Sequence, residues 1–167
     1  MIVGQEKLCK RIDRCTLDTF PRSLMLVGEE GSGKHLLCEY ISKHLGLPIE
    51  DITESLSLET INDIYLKVEP YIYTIMVNRI SVREENLILK FLEEPLKNSY
   101  IILIADTEIG LLPTIVNRCT VFQLQHYKKD VLLGFVNGKS QDVLEVAHTP
   151  GMVIKLCQHP FEDMICK

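Results

Sequence analysis

No two of the six cysteines (Cys9, Cys15, Cys38, Cys119, Cys157 and Cys166) stand in a C-x-x-C pair. Neither a zinc knuckle nor a thioredoxin-type site is therefore indicated. Buried free thiols in a reducing cytosol are the expectation. The histidines His35, His44, His126, His148 and His159 show no ligand spacing, so no metal site is expected. A basic excess is also missing. The formal net charge is -5, which gives no bulk field for strong nucleic-acid binding. No apolar run approaches the roughly 20 residues of a membrane helix, and Met1 to Glu6 is not a charged-then-apolar leader. A cytoplasmic protein without a membrane partner is expected. Internal repeats, low-complexity segments and any arguable Ser-His-Asp or Cys-His arrangement are lacking too. What is present is an ordinary globular mix, 46% hydrophobic and 25% charged over 167 residues. That length suits one domain, or one with a small appendage, and can bury a core.

Apolar runs alternate with helical patterns. Leu24 to Val27, Tyr71 to Val77 and Tyr100 to Ala105 are continuous apolar stretches, as strands buried on both faces of a parallel sheet require. Val121 to Leu124 and Pro48 to Ile52 supply two more short strands. Leu8, Ile12 and Cys15 recur at helical spacing, as do Leu37, Ile41 and Leu45, after which Gly46 and Pro48 stop the helix. Ile61 and Ile64 mark a short helix. Ser81-Val82-Arg83-Glu84 is a capping box; Ile88, Phe91 and Leu92 give its helix an apolar face, and Pro95 ends it. The alternation predicts a three-layer α/β fold with a five-stranded parallel sheet, Tyr71 to Val77 central. It stops near Tyr127, so residues 1–125 form the core and 126–167 a small helical lid.

Gly28-Glu29-Glu30-Gly31-Ser32-Gly33-Lys34-His35 follows the first strand and opens a helix. It matches the phosphate-loop pattern G-x-x-x-x-G-K, with His35 where Ser or Thr is expected. The candidate phosphate-binding residues are Gly28, Gly31, Ser32, Gly33, Lys34 and His35. Backbone amides and the helix N-terminus would cradle a phosphate, and Lys34 would reach the terminal phosphates. The magnesium site reads as broken. Imidazole is a poor ligand for that hard ion, and the strand Thr74 to Val77 runs into Asn78-Arg79-Ile80 with no carboxylate. ATP or ADP binding is expected to be weak, and hydrolysis absent.

Four segments, in order, carry a family resemblance: Ile2-Val3-Gly4-Gln5-Glu6; the phosphate loop; Asn86-Leu87-Ile88-Leu89-Lys90-Phe91-Leu92-Glu93-Glu94-Pro95; and Leu111-Leu112-Pro113-Thr114-Ile115-Val116-Asn117-Arg118-Cys119. The last two resemble N-A-L-L-K-x-L-E-E-P and L-L-P-T-I-x-S-R-C. These stretches are typical of AAA+ subunits of the bacterial DNA polymerase III clamp loader, most like delta-prime. The resemblance implies a P-loop AAA+ core with a helical lid. It also implies assembly with other clamp-loader subunits in a hetero-oligomer, acting on the sliding clamp and primed DNA through the complex. Several family features are replaced. Ile75-Met76-Val77-Asn78 stand where the family carries D-E-A-D. The stretch from Gly46 to Pro70 has no cysteine for the family's zinc module, and Met152 falls where a lid arginine senses nucleotide. The family's C-terminal collar is expected to be missing from a lid that ends at Lys167.

The resemblance implies that Arg118 is an arginine finger reaching the neighbouring subunit's ATP site, where it would stabilise charge on the transferring phosphoryl group. The bland alternative is a surface arginine in an ion pair worth little, and the motif favours the finger. Glu93 and Glu94 are neighbours on a helix and point apart, so they mark a helix end and a subunit contact, not a catalytic pair. Lys128-Lys129 reads as a solvated face, and Tyr65, Tyr71 and Tyr73 as packing around the sheet. The function expected is a non-hydrolysing clamp-loader subunit. The alternative is a stand-alone nucleotide-binding P-loop protein, either a switch or a weak ATPase.

Overall fold

The computed structural model describes residues 2–94, 99–136 and 143–158. Five parallel strands, β1 (Ser23–Val27), β2 (Ile49–Asp51), β3 (Ile72–Met76), β4 (Tyr100–Ala105) and β5 (Thr120–Gln123), lie in the order β2-β3-β4-β1-β5. The five expected strands are all present. The central one is β4, not the Tyr71–Val77 run, which sits one place in from the β2 edge. Every residue of β4 is buried, as its position between β1 and β3 demands.

The strand residues alternate between two cores, as a side-chain period of two requires. Leu24, Leu26, Ile72, Ile102 and Ile104 pack on one face with α1 (Glu6–Asp13) and α2 (Lys34–Leu45). Met25, Tyr73, Ile75, Ile101 and Leu103 pack on the other with α3 (Leu58–Leu66) and α4 (Val82–Glu93). The short α5 (Pro113–Val116) joins this second face through the fully buried Ile115. The result is the three-layer α/β architecture predicted from the alternating pattern.

The local signals act as written. Gly46 takes the left-handed conformation (φ 67°) at the end of α2, a place where glycine carries no Cβ penalty. Ser81 and Glu84 form the complete capping box at the start of α4. The helix-ending role read for Pro95 falls outside the described residues, as do His159 and Cys166. Cys9, Cys15, Cys38 and Cys119 are free thiols. Burial pushes the Cys38 thiol up to about 12, with Asp51 and Glu39 adding to it. No described helix is long and apolar enough to cross a membrane.

Beyond β5 come α6 (Lys129–Leu133), α7 (Val143–Val146) and α8 (Pro150–Gln158). They enclose a small core of their own, which includes Leu132, Val136, Leu144, Ala147, Val153 and Leu156.

Candidate functional site

In a parallel sheet every strand ends on the same edge, and open α/β sheets bind ligands outside that edge. Three segments meet there. The phosphate loop follows β1, Asn78 follows β3, and Asp106 follows β4 between them. The loop joins strand to helix as expected, and Gly33 (φ 93°) caps α2.

Lys34 is 6% exposed and points back into its own chain. Its ammonium group donates to the carbonyls of Gly28 and Glu29 and to the carboxylate of Asp106, the last at 2.8 Å. An ammonium has three protons and no more, so a terminal phosphate would have to displace one of these acceptors. The other Asp106 oxygen accepts from the Asn78 amide at 3.0 Å, and the Asp106 N–H donates to the Asn78 side-chain oxygen at 3.2 Å. Asn78 thus grips Asp106 from β3 while Lys34 grips it from β1.

His35 is exposed beside this cluster, and a cleft of about 530 Å³ is lined by Lys34, His35, Asn78, Arg79 and Asp106. Among the described residues no group of three or more His, Cys, Asp or Glu side chains is placed to hold a metal ion. Ser32 Oγ is buried and finds no hydrogen-bond partner among the described residues.

The C-terminal helical segment, read from the sequence as a lid, contacts the phosphate loop. Gly151 N–H donates to the Gly31 carbonyl at 3.0 Å, Thr149 Oγ1 to that of Glu30 at 2.9 Å, and Tyr127 OH to that of Ser32 at 2.8 Å. Lys155 pairs with Glu30 and holds its carboxyl below the usual range. The approach is closest between two glycines. A Cβ added to Gly151 would lie 2.5 Å from the Gly31 Cα, and Gly31 itself has φ +76°. Met152 packs against the small C-terminal core. Beside the loop an apolar cavity of about 470 Å³ is lined by Ile2, Leu36, Tyr127, Phe135 and Ile154, among others.

Arg118 lies elsewhere. It immediately precedes Cys119 and the start of β5, and so sits at the edge of the sheet opposite the phosphate loop. α4 leaves the loop edge after β3 and ends near Arg118, so Glu93 in its last turn reaches the guanidinium. Arg118 donates to Glu93 Oε1 at 2.8 Å and to the Thr114 carbonyl at 2.9 Å, while its side chain stays 37% exposed. α5 fixes the backbone just before it. Pro113 supplies the first helical residue, where its missing N–H costs nothing, and Ile115 anchors the turn in the core. The backbone carbonyl of Glu94 accepts from Tyr65 OH at 2.7 Å.

The structure therefore gathers Gly28, Gly31, Ser32, Gly33, Lys34 and His35 at one edge and leaves Arg118 at the other. Sequence reasoning missed Asp106, Glu93 as the partner of Arg118, and the lid contacts of Thr149 and Gly151. The signal for Asp106 was its place directly after the apolar run Tyr100 to Ala105; its value appears only when β4 lies beside β1.

Comparison with known proteins bears on this arrangement. Residues 49–128 match the family described as DNA polymerase III, delta subunit, a stretch that includes Asn78, Glu93, Asp106 and Arg118 but not the phosphate loop. The chain is 35% identical over 69 residues to DNA polymerase III subunit delta-prime of Haemophilus influenzae, which covers 41% of this chain and 21% of that protein. Among solved structures, the RuvB Holliday junction branch migration motor of Thermotoga maritima superposes with a TM-score of 0.66 at 20% identity, and a variant of it with 0.66 at 18%. Both cover 97% of this chain, which spans 63% of theirs; at such identities the likeness is one of fold. The chain thus shares the fold of that branch-migration motor, and its likeness in sequence to DNA polymerase III delta-type subunits is carried by residues 49–128.

Proposed function

We propose that this chain is a non-hydrolysing, delta-prime-like clamp-loader subunit that assembles with ATPase subunits and supplies Arg118 to a neighbour's ATP site. The observation that carries the proposal is the separation of the two cations. Arg118 is half-exposed at the sheet edge opposite Lys34, where it has no route to its own phosphate loop. A guanidinium is always charged and donates two parallel hydrogen bonds, so it suits the charge that develops on a transferring phosphoryl group. Lysine at position 118 would keep the charge and lose the fork.

The residues of the loop, as arranged, do not fit a bound magnesium triphosphate. Lys34 is saturated from within the chain, His35 offers no hydroxyl for magnesium, and Asn78 offers no carboxylate. ATP or ADP is accordingly proposed to bind weakly, and the sliding clamp and primed DNA are reached through the assembled complex.

A second reading, a nucleotide-binding switch, is favoured by two observations: Ser32 Oγ lacks a partner, and the apolar cavity beside the loop is large enough for a flat ring. The test is co-purification with bacterial clamp-loader ATPase subunits, alongside phosphate release by the isolated chain. The proposal expects a stable complex and no release above background. Release that disappears in Lys34→Ala, with no complex formed, would favour a solitary ATPase.

A further inference from the structure

We infer that Asp106 is a built-in counter-ion that occupies Lys34 in place of phosphate, and that Asn78 is present to hold it there. The inference deepens the non-hydrolysing half of the proposed function and does not depend on any partner subunit.

Three observations converge on Asp106. It follows the central strand, so its neighbours are the phosphate loop on one side and the Asn78 turn on the other. One carboxylate oxygen takes the proton of Lys34 that the Gly28 and Glu29 carbonyls leave free. The second oxygen and the backbone N–H are both engaged by Asn78. An amide is suited to this double contact because it donates and accepts at once. A carboxylate at position 78 would instead place like charge beside Asp106, which raises one of the two pKa values and weakens the grip. The acid missing from the end of β3 is thus matched by an acid at the end of β4 that is spent on the lysine.

The rest of the cradle remains built. Gly31 and Gly33 keep positive φ angles, and the buried Ser32 hydroxyl still lacks a partner. Removing the counter-ion therefore leaves one ammonium proton unanswered beside an intact loop, which is the chemistry of a phosphate site.

The experiment titrates the full chain with inorganic tripolyphosphate, without and with magnesium, by calorimetry. Wild type is expected to show no saturable binding at millimolar concentration. Asp106→Ala should bind at least about tenfold more tightly, the effect of about 1.4 kcal/mol, and Lys34→Ala added to it should abolish the gain. Asp106→Asn keeps the side-chain volume, and Asn78→Ala loosens the grip without touching the loop. Each should move binding in the same direction by a smaller factor, so a folding failure of the first variant does not remove the test. The inference is overturned if folded variants bind no better than wild type; that result leaves the clamp-loader reading standing. It is also overturned if wild type binds with magnesium and Asp106→Ala loses that binding, which makes Asp106 a metal ligand and sinks the non-hydrolysing reading with it.

Discussion

Lys34 and Arg118 are the two cations on which the proposed function rests, and the chain treats them in opposite ways. Lys34 is buried and answered on all three protons by its own chain. Arg118 is exposed, and Glu93 and the Thr114 carbonyl take only part of its five-donor fork. The ground beneath them also differs. The loop around Lys34 is held by polar contacts from Asp106 and from the C-terminal helical segment, whereas Arg118 follows a short helix anchored in the core by Ile115. One cation is closed in, and the other is held out on a rigid base. A subunit that acts on a neighbour needs this second arrangement, because a finger gains from being placed before the partner arrives.

Stability measurements sharpen the contrast. Phe91→Ala removes a fully buried ring that meets Tyr65 edge-on at 5.5 Å, and should cost about 3–5 kcal/mol in denaturant unfolding. Gly151→Ala should cost about 1–3 kcal/mol through overpacking, because its Cβ meets backbone at 2.5 Å. A loss confined to the lid would appear as protease cleavage after Tyr127 before the main thermal transition. The reverse result, cleavage unchanged, would mean that the lid does not rest on the loop.

Titration gives the next effect. The Cys38 thiol is raised to about 12 by burial. Its folded pKa lies above its unfolded one, so its contribution is complete below about pH 8.5. That contribution is lost as pH rises towards 12, by about 1.4 kcal/mol per pH unit. Cys38→Ala should flatten the alkaline limb of a stability–pH profile. Glu93→Gln should change stability least, by about 0.2–1 kcal/mol, the range of exposed ion pairs, while loosening the Arg118 side chain.

The regular part of this fold was legible because its signals are local. Continuous apolar runs specified β1, β3 and β4, and Ser81 with Glu84 specified the start of α4. Strand order was not legible in the same way. Tyr71 to Val77 and Tyr100 to Ala105 are both apolar enough to be central, and only the pairing of β4 with β1 and β3 decides between them. The site follows the same division. The glycines and Lys34 announce themselves within eight consecutive residues, and Arg118 within a nine-residue motif. Asp106 meets Lys34 across 72 positions, and Glu93 meets Arg118 across 25, distances that no spacing rule spans.

The most direct measurement is stimulated ATPase of a complex reconstituted from this chain, partner ATPase subunits, clamp and primed DNA, with Arg118→Ala and Lys34→Ala compared side by side and assembly followed by gel filtration. The account predicts that Arg118→Ala assembles normally and lowers the partner turnover that depends on it by about 10³-fold or more, with Arg118→Lys no better, while Lys34→Ala stays within about twofold of wild type. An assembled complex whose activity is lost with Lys34 and kept without Arg118 would contradict it.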